Sequence, residues 1–244
     1  MKKIKIILKD YNQELVEINK ELKNSPEGSL GKKKSYYYQI TREKHIGITR
    51  NVPLTRQLCR KKYLQARKIQ LENNISRPLS QFDFRTPSEL IASLPKVYQD
   101  IPIDYFYHPS IAPWQAEIPE RNTIAPENAQ YTSNNGTQLR SMAEREIADQ
   151  LESYGLPYHY DTIIYPGGKK VAPDFIIKNP FTRETFIWEH FGAFDQENYA
   201  DSMNYKMDLY MNCGPVPSEN LITTYQYHIR NPRRIQNLIE QTIL

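Results

Sequence analysis

The sequence predicts an α/β protein built on a mixed sheet, and three observations lead there. Helical periods over 141–154 and 196–211 enclose two alternating, strand-like runs, 171–180 and 182–192. A further apolar run, 221–225, follows the second helix. Elements alternating in this way form a sheet covered by helices. The third observation is chemical. Ionisable residues stand where each helix should present apolar ones, and two acids face each other across the hairpin.

The first element is a helix over 5–23. Leu8, Tyr11, Leu15, Ile18 and Leu22 step by three and four. That seam is too short for a stable coiled coil and suits packing on its own chain, with a dimer contact as the alternative. Residues 26–50 read as short strands, with Tyr36–Tyr38 and Ile46–Ile48 flanking a charged turn at 41–44. A basic helix follows over 54–73. Residues 1–78 hold 19 Lys and Arg against 7 Asp and Glu (+12), and residues 79–244 hold 13 against 21 (−8). A basic front suits a polyanion and an acidic back suits cations, although a charge run is often only a solvated face. Small sheet followed by helix resembles the arm-type DNA-binding domain of tyrosine recombinases. On this reading Lys32, Lys33, Lys34, Arg42 and Lys44, with Arg60, Lys61 and Lys62 on the helix, contact phosphates.

Residues 79–135 are expected to be a proline-rich connector, punctuated from Pro87 to Pro126, in which only 86–94 reads as a helix. Asn134-Asn135-Gly136 marks a turn, and 136–244 form the last domain. Its first helix, 141–154, places Ile147, Ala148 and Leu151 on one face with Glu144 among them. Ser141 stands three residues before Glu144, so a capping box competes with a site role for that acid. A strand over 158–165 turns at Gly167-Gly168 into the strand that carries Asp174. The next turn, 179–183, is centred near residue 181, which makes Asp174 and Glu189 cross-strand neighbours on one face. His190 then points to the other face. In the helix over 196–211, Lys206 falls inside the stripe of Tyr199, Met203 and Tyr210. A strand at 221–225 and a helix at 232–243 complete the chain.

Two adjacent carboxylates share a proton or a cation. With oxygen ligands only, the cation is Mg²⁺ or Mn²⁺. Metal and lysine together suit phosphodiester cleavage. Alternatively, Lys206 snorkels its charge to solvent or pairs structurally with Glu144.

Glu144, Pro173-Asp174 and Glu189, in the order helix–strand–strand–strand–helix–strand, resemble the PD-(D/E)XK (restriction-endonuclease-like) nuclease superfamily. The likeness covers roughly 140–226. It implies an αβββαβ core, Asp174 and Glu189 as metal ligands, Glu144 as an accessory ligand, and DNA as substrate, with a homodimer as a common assembly. The family's lysine normally lies two residues after the second acid, where this chain has Phe191. Lys206 matches variants in which it has moved to the following helix. The expected activity is metal-dependent DNA cleavage in a mobile-element, phage or defence setting. Its alternatives are an inactive DNA-binding or inhibitory relative, or a nuclease acting on RNA or a small nucleotide.

Other chemistries lack their signatures. The five histidines and two cysteines show no zinc spacing, there is no Gly-x-Ser-x-Gly, and Gly167-Gly168-Lys169-Lys170 lacks the spacing of a phosphate loop. Cys59 and Cys213 give no disulfide framework, so a reducing cytoplasm is expected. The opening apolar run is too short for a signal peptide, and no run reaches a membrane-spanning length.

Overall fold

The computed structural model describes residues 2–122, 129–192, 199–215 and 219–244. It forms two compact units, Met1–His108 and Pro109–Leu244. Both helices and mixed sheet are present, so the protein is α/β. Among the described residues no helix is long and apolar enough to cross a membrane.

In the first unit, α1 (Lys2–Lys23) packs along α2 (Val52–Ser76). Ile18 of the predicted seam is buried, and Leu8, Tyr11, Leu15 and Leu22 are half-buried. Buried or partly buried ion pairs bind the two helices: Arg60 to Glu21 and Arg67 to Glu14, each at 2.8 Å. In sequence between the helices come the strands of an antiparallel sheet, β1 (Ser29–Lys33), β2 (Tyr36–Ile40) and β3 (His45–Gly47).

The predicted connector is shared between the units. Its first part closes the first one because Gln70 and Asn74 of α2 bind the backbone carbonyls of Asp83 and Arg85. It also holds more helix than the sequence reading gave. Besides α3 (Pro87–Ala92) there are α4 (Lys96–Gln99), α5 (Ile111–Ala116), and 3₁₀ turns at Leu79–Gln81 and Ile103–Phe106. These elements are about one turn long, too short to display a helical period. Pro126 lies outside the described residues.

The second unit begins with a small β4 (Tyr131–Thr132) and β5 (Gln138–Leu139) hairpin, then α6 (Met142–Ser153). The main sheet has the order β6–β7–β8–β9, from β6 (Tyr158–Tyr160), β7 (Phe175–Lys178), β8 (Thr185–Phe191) and β9 (Leu221–Tyr225). The first two pairings are antiparallel and β8–β9 is parallel. The predicted strand 158–165 is regular only to Tyr160. Asp161 turns into the left-handed region (φ 51°), and pairing resumes as a bridge between Ile164 and Val171.

Period-2 alternation splits the core into two layers. Phe175, Ile177, Phe186 and Trp188 pack with Ile147 and Leu151 of α6 and with Ile235 and Ile239 of α9 (Pro232–Thr242). On the other face, Ile187 packs with Leu209 and Tyr210 of α7 (Tyr199–Cys213). A short α8 (Gln226–Ile229) joins β9 to α9. Residues 196–198 of the predicted helix and the side chain of Tyr199 lie outside the described residues.

Candidate functional site

Hairpin register builds the site. Phe175 pairs with Trp188, so one step further along Asp174 faces Glu189. Asp174 Oδ2 accepts the backbone N–H of His190 at 2.6 Å. Glu189 shares a sheet face with Ile187 and is 1% exposed. His190 points the other way, with Trp188, and shares a hydrogen bond with Thr224 Oγ1 at 3.1 Å. Burial holds its imidazole down at about 4, with His228 adding to the effect.

The α7 helix covers the acid face. Its lysine does not snorkel: Lys206 Nζ donates to both oxygens of Glu189 and to the Ala172 carbonyl, each at 2.9 Å. Three acceptors satisfy the ammonium's three donors. One helical turn on, the Tyr210 hydroxyl donates to Glu189 Oε1 at 2.6 Å. The i, i+4 spacing brings both donors to one carboxylate. Tyr210 was read from sequence only as an apolar stripe residue.

Glu144 takes the capping role. Ser141 Oγ accepts from Glu144 N at 3.1 Å. Glu144 Oε2 accepts from the backbone N–H groups of Ser141 and Arg140 and from the Tyr160 hydroxyl. It makes no hydrogen bond to Asp174, Glu189 or Lys206, yet its charge adds to the pressure on Asp174.

Asp161 was missed altogether. It lies six residues before Gly167, as Asp174 lies six after Gly168, so the hairpin centre was the available signal. Its backbone N–H donates to the Asp174 carbonyl at 2.9 Å. Its buried carboxylate pairs with Arg140 at 2.6 Å. Backbone pairing thus sets Asp161 beside Asp174 and Asp174 beside Glu189 at the ends of the ladders, while the Asp161 carboxylate turns to Arg140 and Asn122.

The electrostatics follow from burial. Desolvation, then the Glu189 charge, push Asp174 well above the usual carboxylate range. Desolvation also raises Glu189, against the pull of Lys206 and Tyr210. Burial disfavours the Lys206 ammonium, but Glu189 and Asp174 outweigh it and hold the lysine charged.

The basic front is partly spent inside its own unit. Arg60 is 6% exposed and bound to Glu21 and the Phe106 carbonyl. Lys61 donates to the carbonyls of Pro26 and Gly28. These two do not face a ligand, a correction to their predicted phosphate role. Lys32 is exposed but paired with Asp100 at 2.9 Å. Lys33, Lys34, Arg42 and Lys44 are exposed, and Lys62 is half-buried.

Whether these residues suit a cation follows from donors and charge. Among the described residues, no three His, Cys, Asp or Glu side chains stand as a ready metal cluster. Lys206 itself neutralises Glu189. Against that, Glu144, Asp161, Asp174 and Glu189 outnumber Arg140 and Lys206, so protons or a cation must balance the rest. Asp174 Oδ1 and Glu144 Oε1 make no hydrogen bond among the described residues. All these donors are hard oxygens, which fits Mg²⁺ or Mn²⁺. The chain matches no protein-family model, no curated protein and no solved structure; its function is read from the site alone.

Proposed function

We propose that the second unit is a metal-dependent DNA endonuclease of the PD-(D/E)XK kind, with its lysine on the helix after the second acid. One observation carries the reading: Lys206, from α7, lies on Glu189 beside Asp174, where that lysine must act. The order α6–β6–β7–β8–α7–β9 and its mixed sheet support it.

Asp174 and Glu189 would hold Mg²⁺ or Mn²⁺, with Glu144 Oε1 as an accessory ligand. The cation supplies Lewis acidity toward a phosphate oxygen. Lys206 orients the attacking water and offsets charge developing on the phosphorus oxygens. Tyr210 fixes the Glu189 carboxylate so that the lysine has one resting place. Lys33, Lys34, Arg42 and Lys44 supply phosphate contacts that are indifferent to sequence. The setting in this reading is the cytoplasm, in a mobile element, phage or defence system, with a homodimer as the working form.

The test is nicking of supercoiled plasmid by the full chain with Mg²⁺ or Mn²⁺. Asp174→Ala and Lys206→Ala should each abolish nicking and leave DNA binding in place. Loss of binding in both variants would make the pair structural. The direct Lys206–Glu189 bond favours a second reading, a nuclease-fold DNA-binding or inhibitory protein whose acid is permanently closed by its lysine. Tight binding with no cleavage of DNA or single-stranded RNA under either metal would select it.

A further inference from the structure

The three-stranded sheet of the first unit has one face turned inward. Leu30 and Ile48 are buried there, and the Leu30 N–H meets the Tyr98 hydroxyl. On the opposite face Ser29, Lys33, Tyr36 and His45 are exposed while Tyr38 and Ile40 are half-buried, and register fixes its rows. Ser29, Ile40 and His45 make one, Gly31, Tyr38 and Gly47 the next, and Lys33 with Tyr36 the third. Tyr38 has a glycine on each side. A Cβ on Gly47 would lie 4.0 Å from Tyr38 Cε1, so the ring leans over the glycine instead of standing among side chains. Ile40 covers Gly31 in the same way, leaving no room for a side chain there. Tyr36 is 58% exposed. Neither tyrosine hydroxyl has a hydrogen-bond partner among the described residues. Two residues apart on one strand face, the rings are set about 7 Å apart.

Basic residues border this flat aromatic strip. Residues 29–50 hold six Lys and Arg and one acid, Glu43. Lys32 is paired with Asp100, and the other five make no ion pair among the described residues. Lys34 sits in the two-residue β1–β2 turn at φ 56°, a conformation that favours glycine or asparagine. There its ammonium stands exposed at the turn tip.

We propose that this face binds single-stranded nucleic acid: Tyr36 and Tyr38 stack successive bases, and Lys33, Lys34, Arg42 and Lys44 hold the phosphates. The inference builds on the nuclease reading but is tested apart from it. Stacking on exposed rings is how sheet surfaces hold unpaired bases, and it tolerates any sequence. Groove reading of a duplex instead needs hydrogen-bonding side chains projecting from the middle of the sheet. Here the middle is glycine, tyrosine and isoleucine, and the charges lie at the turns.

The experiment is fluorescence anisotropy on the full chain in EDTA, with a labelled oligothymidine of about 15 nucleotides and a duplex of equal length. Cleavage needs metal, so a failed nuclease reading leaves this measurement untouched. The single strand should bind more tightly than the duplex. Tyr38→Ala should weaken it roughly 5- to 150-fold, as loss of one base stack does, while Tyr38→Phe stays near wild type. Lys33→Glu with Lys34→Glu should flatten the salt dependence of binding, and decides the matter if Tyr38→Ala fails to fold by circular dichroism. Equal or tighter duplex binding, a Tyr38→Ala effect within twofold in a folded protein, an unchanged salt slope, or displacement by polyglutamate as readily as by unlabelled oligothymidine would each overturn the proposal.

Discussion

Replacing Lys206 by Met keeps the length of the stem and deletes the charge. Glu189 is 1% exposed and would keep only the Tyr210 hydroxyl of its two side-chain donors. Removing one partner of a buried ion pair costs about 3–5 kcal/mol, chiefly because the other charge is left in a low dielectric. That is a large part of the roughly 5–15 kcal/mol that holds an ordinary domain folded. The cost must depend on pH. The Glu189 pKa is raised by burial even with the lysine present, and without it the carboxyl rises further. A raised folded pKa means stability is intact below the unfolded value and is lost as pH climbs through the folded one. The penalty should therefore be smaller at pH 5 than at pH 8, because protonation of the raised Glu189 carboxyl relieves it. Both tryptophans, Trp114 and Trp188, belong to the unit Pro109–Leu244, so urea unfolding followed by tryptophan fluorescence reports that unit. A loss below about 1 kcal/mol at both pH values, the worth of an exposed pair, would refute the buried geometry and return Lys206 to solvent.

Other outcomes follow from the same geometry. Tyr210→Phe removes a charge-assisted donor to Glu189 and should cost about 1.5–3 kcal/mol in the same urea assay. In the metal reading Mn²⁺ would displace a proton from Asp174, which burial and the Glu189 charge hold well above the usual carboxylate range; its thermal stabilisation of the protein should grow as pH rises and vanish in Asp174→Asn, and a pH-independent shift would place the cation elsewhere. Ser141→Ala should lower stability by about 1 kcal/mol through the lost α6 cap, measurable by calorimetry. Arg60→Met should destabilise the first unit by about 1.5–3 kcal/mol, since it removes the charge-assisted hydrogen bonds of a buried arginine to a half-buried Glu21, while leaving the salt dependence of any DNA binding unchanged.

What the sequence disclosed of this site depended on whether spacing carries the information. Antiparallel register is set by the turn centre, so two symmetric distances were enough to place Asp174 opposite Glu189. Helical periodicity likewise put Lys206 on the face that meets the sheet. The same arithmetic about Gly167-Gly168 reaches Asp161, but its left-handed backbone breaks the alternation that would have drawn attention to it. Spacing also left two roles open for Glu144, because a capping box and a metal ligand ask for the same residue at the same distance from Ser141. The cap and its neighbours take Glu144 Oε2 and leave Oε1 outside the capping box.

Charge was the less legible property, and the reason is range. A lysine or arginine advertises its cation in the sequence, but its partner lies wherever the fold brings it. Arg60 meets an acid 39 positions earlier, and Lys61 meets carbonyls 33 and 35 positions earlier. Neither distance has a period to detect. Ion pairs and carbonyls therefore use up part of the basic front once folded, whereas Lys33, Lys34, Arg42 and Lys44 at the turns of the small sheet stay exposed without an ion pair among the described residues. The acid group behaves in the opposite sense. Its members are dispersed over 29 positions from Asp161 to Glu189, yet one hairpin of local register brings Asp174 to Glu189, and a backbone hydrogen bond brings Asp161 to Asp174. Strand pairing thus concentrates negative charge at one place in the second unit, while ion pairing dilutes positive charge over most of the first. The proposed cation would sit where the acids outnumber Arg140 and Lys206, and the proposed nucleic acid where Lys33, Lys34, Arg42 and Lys44 face solvent without an ion pair among the described residues.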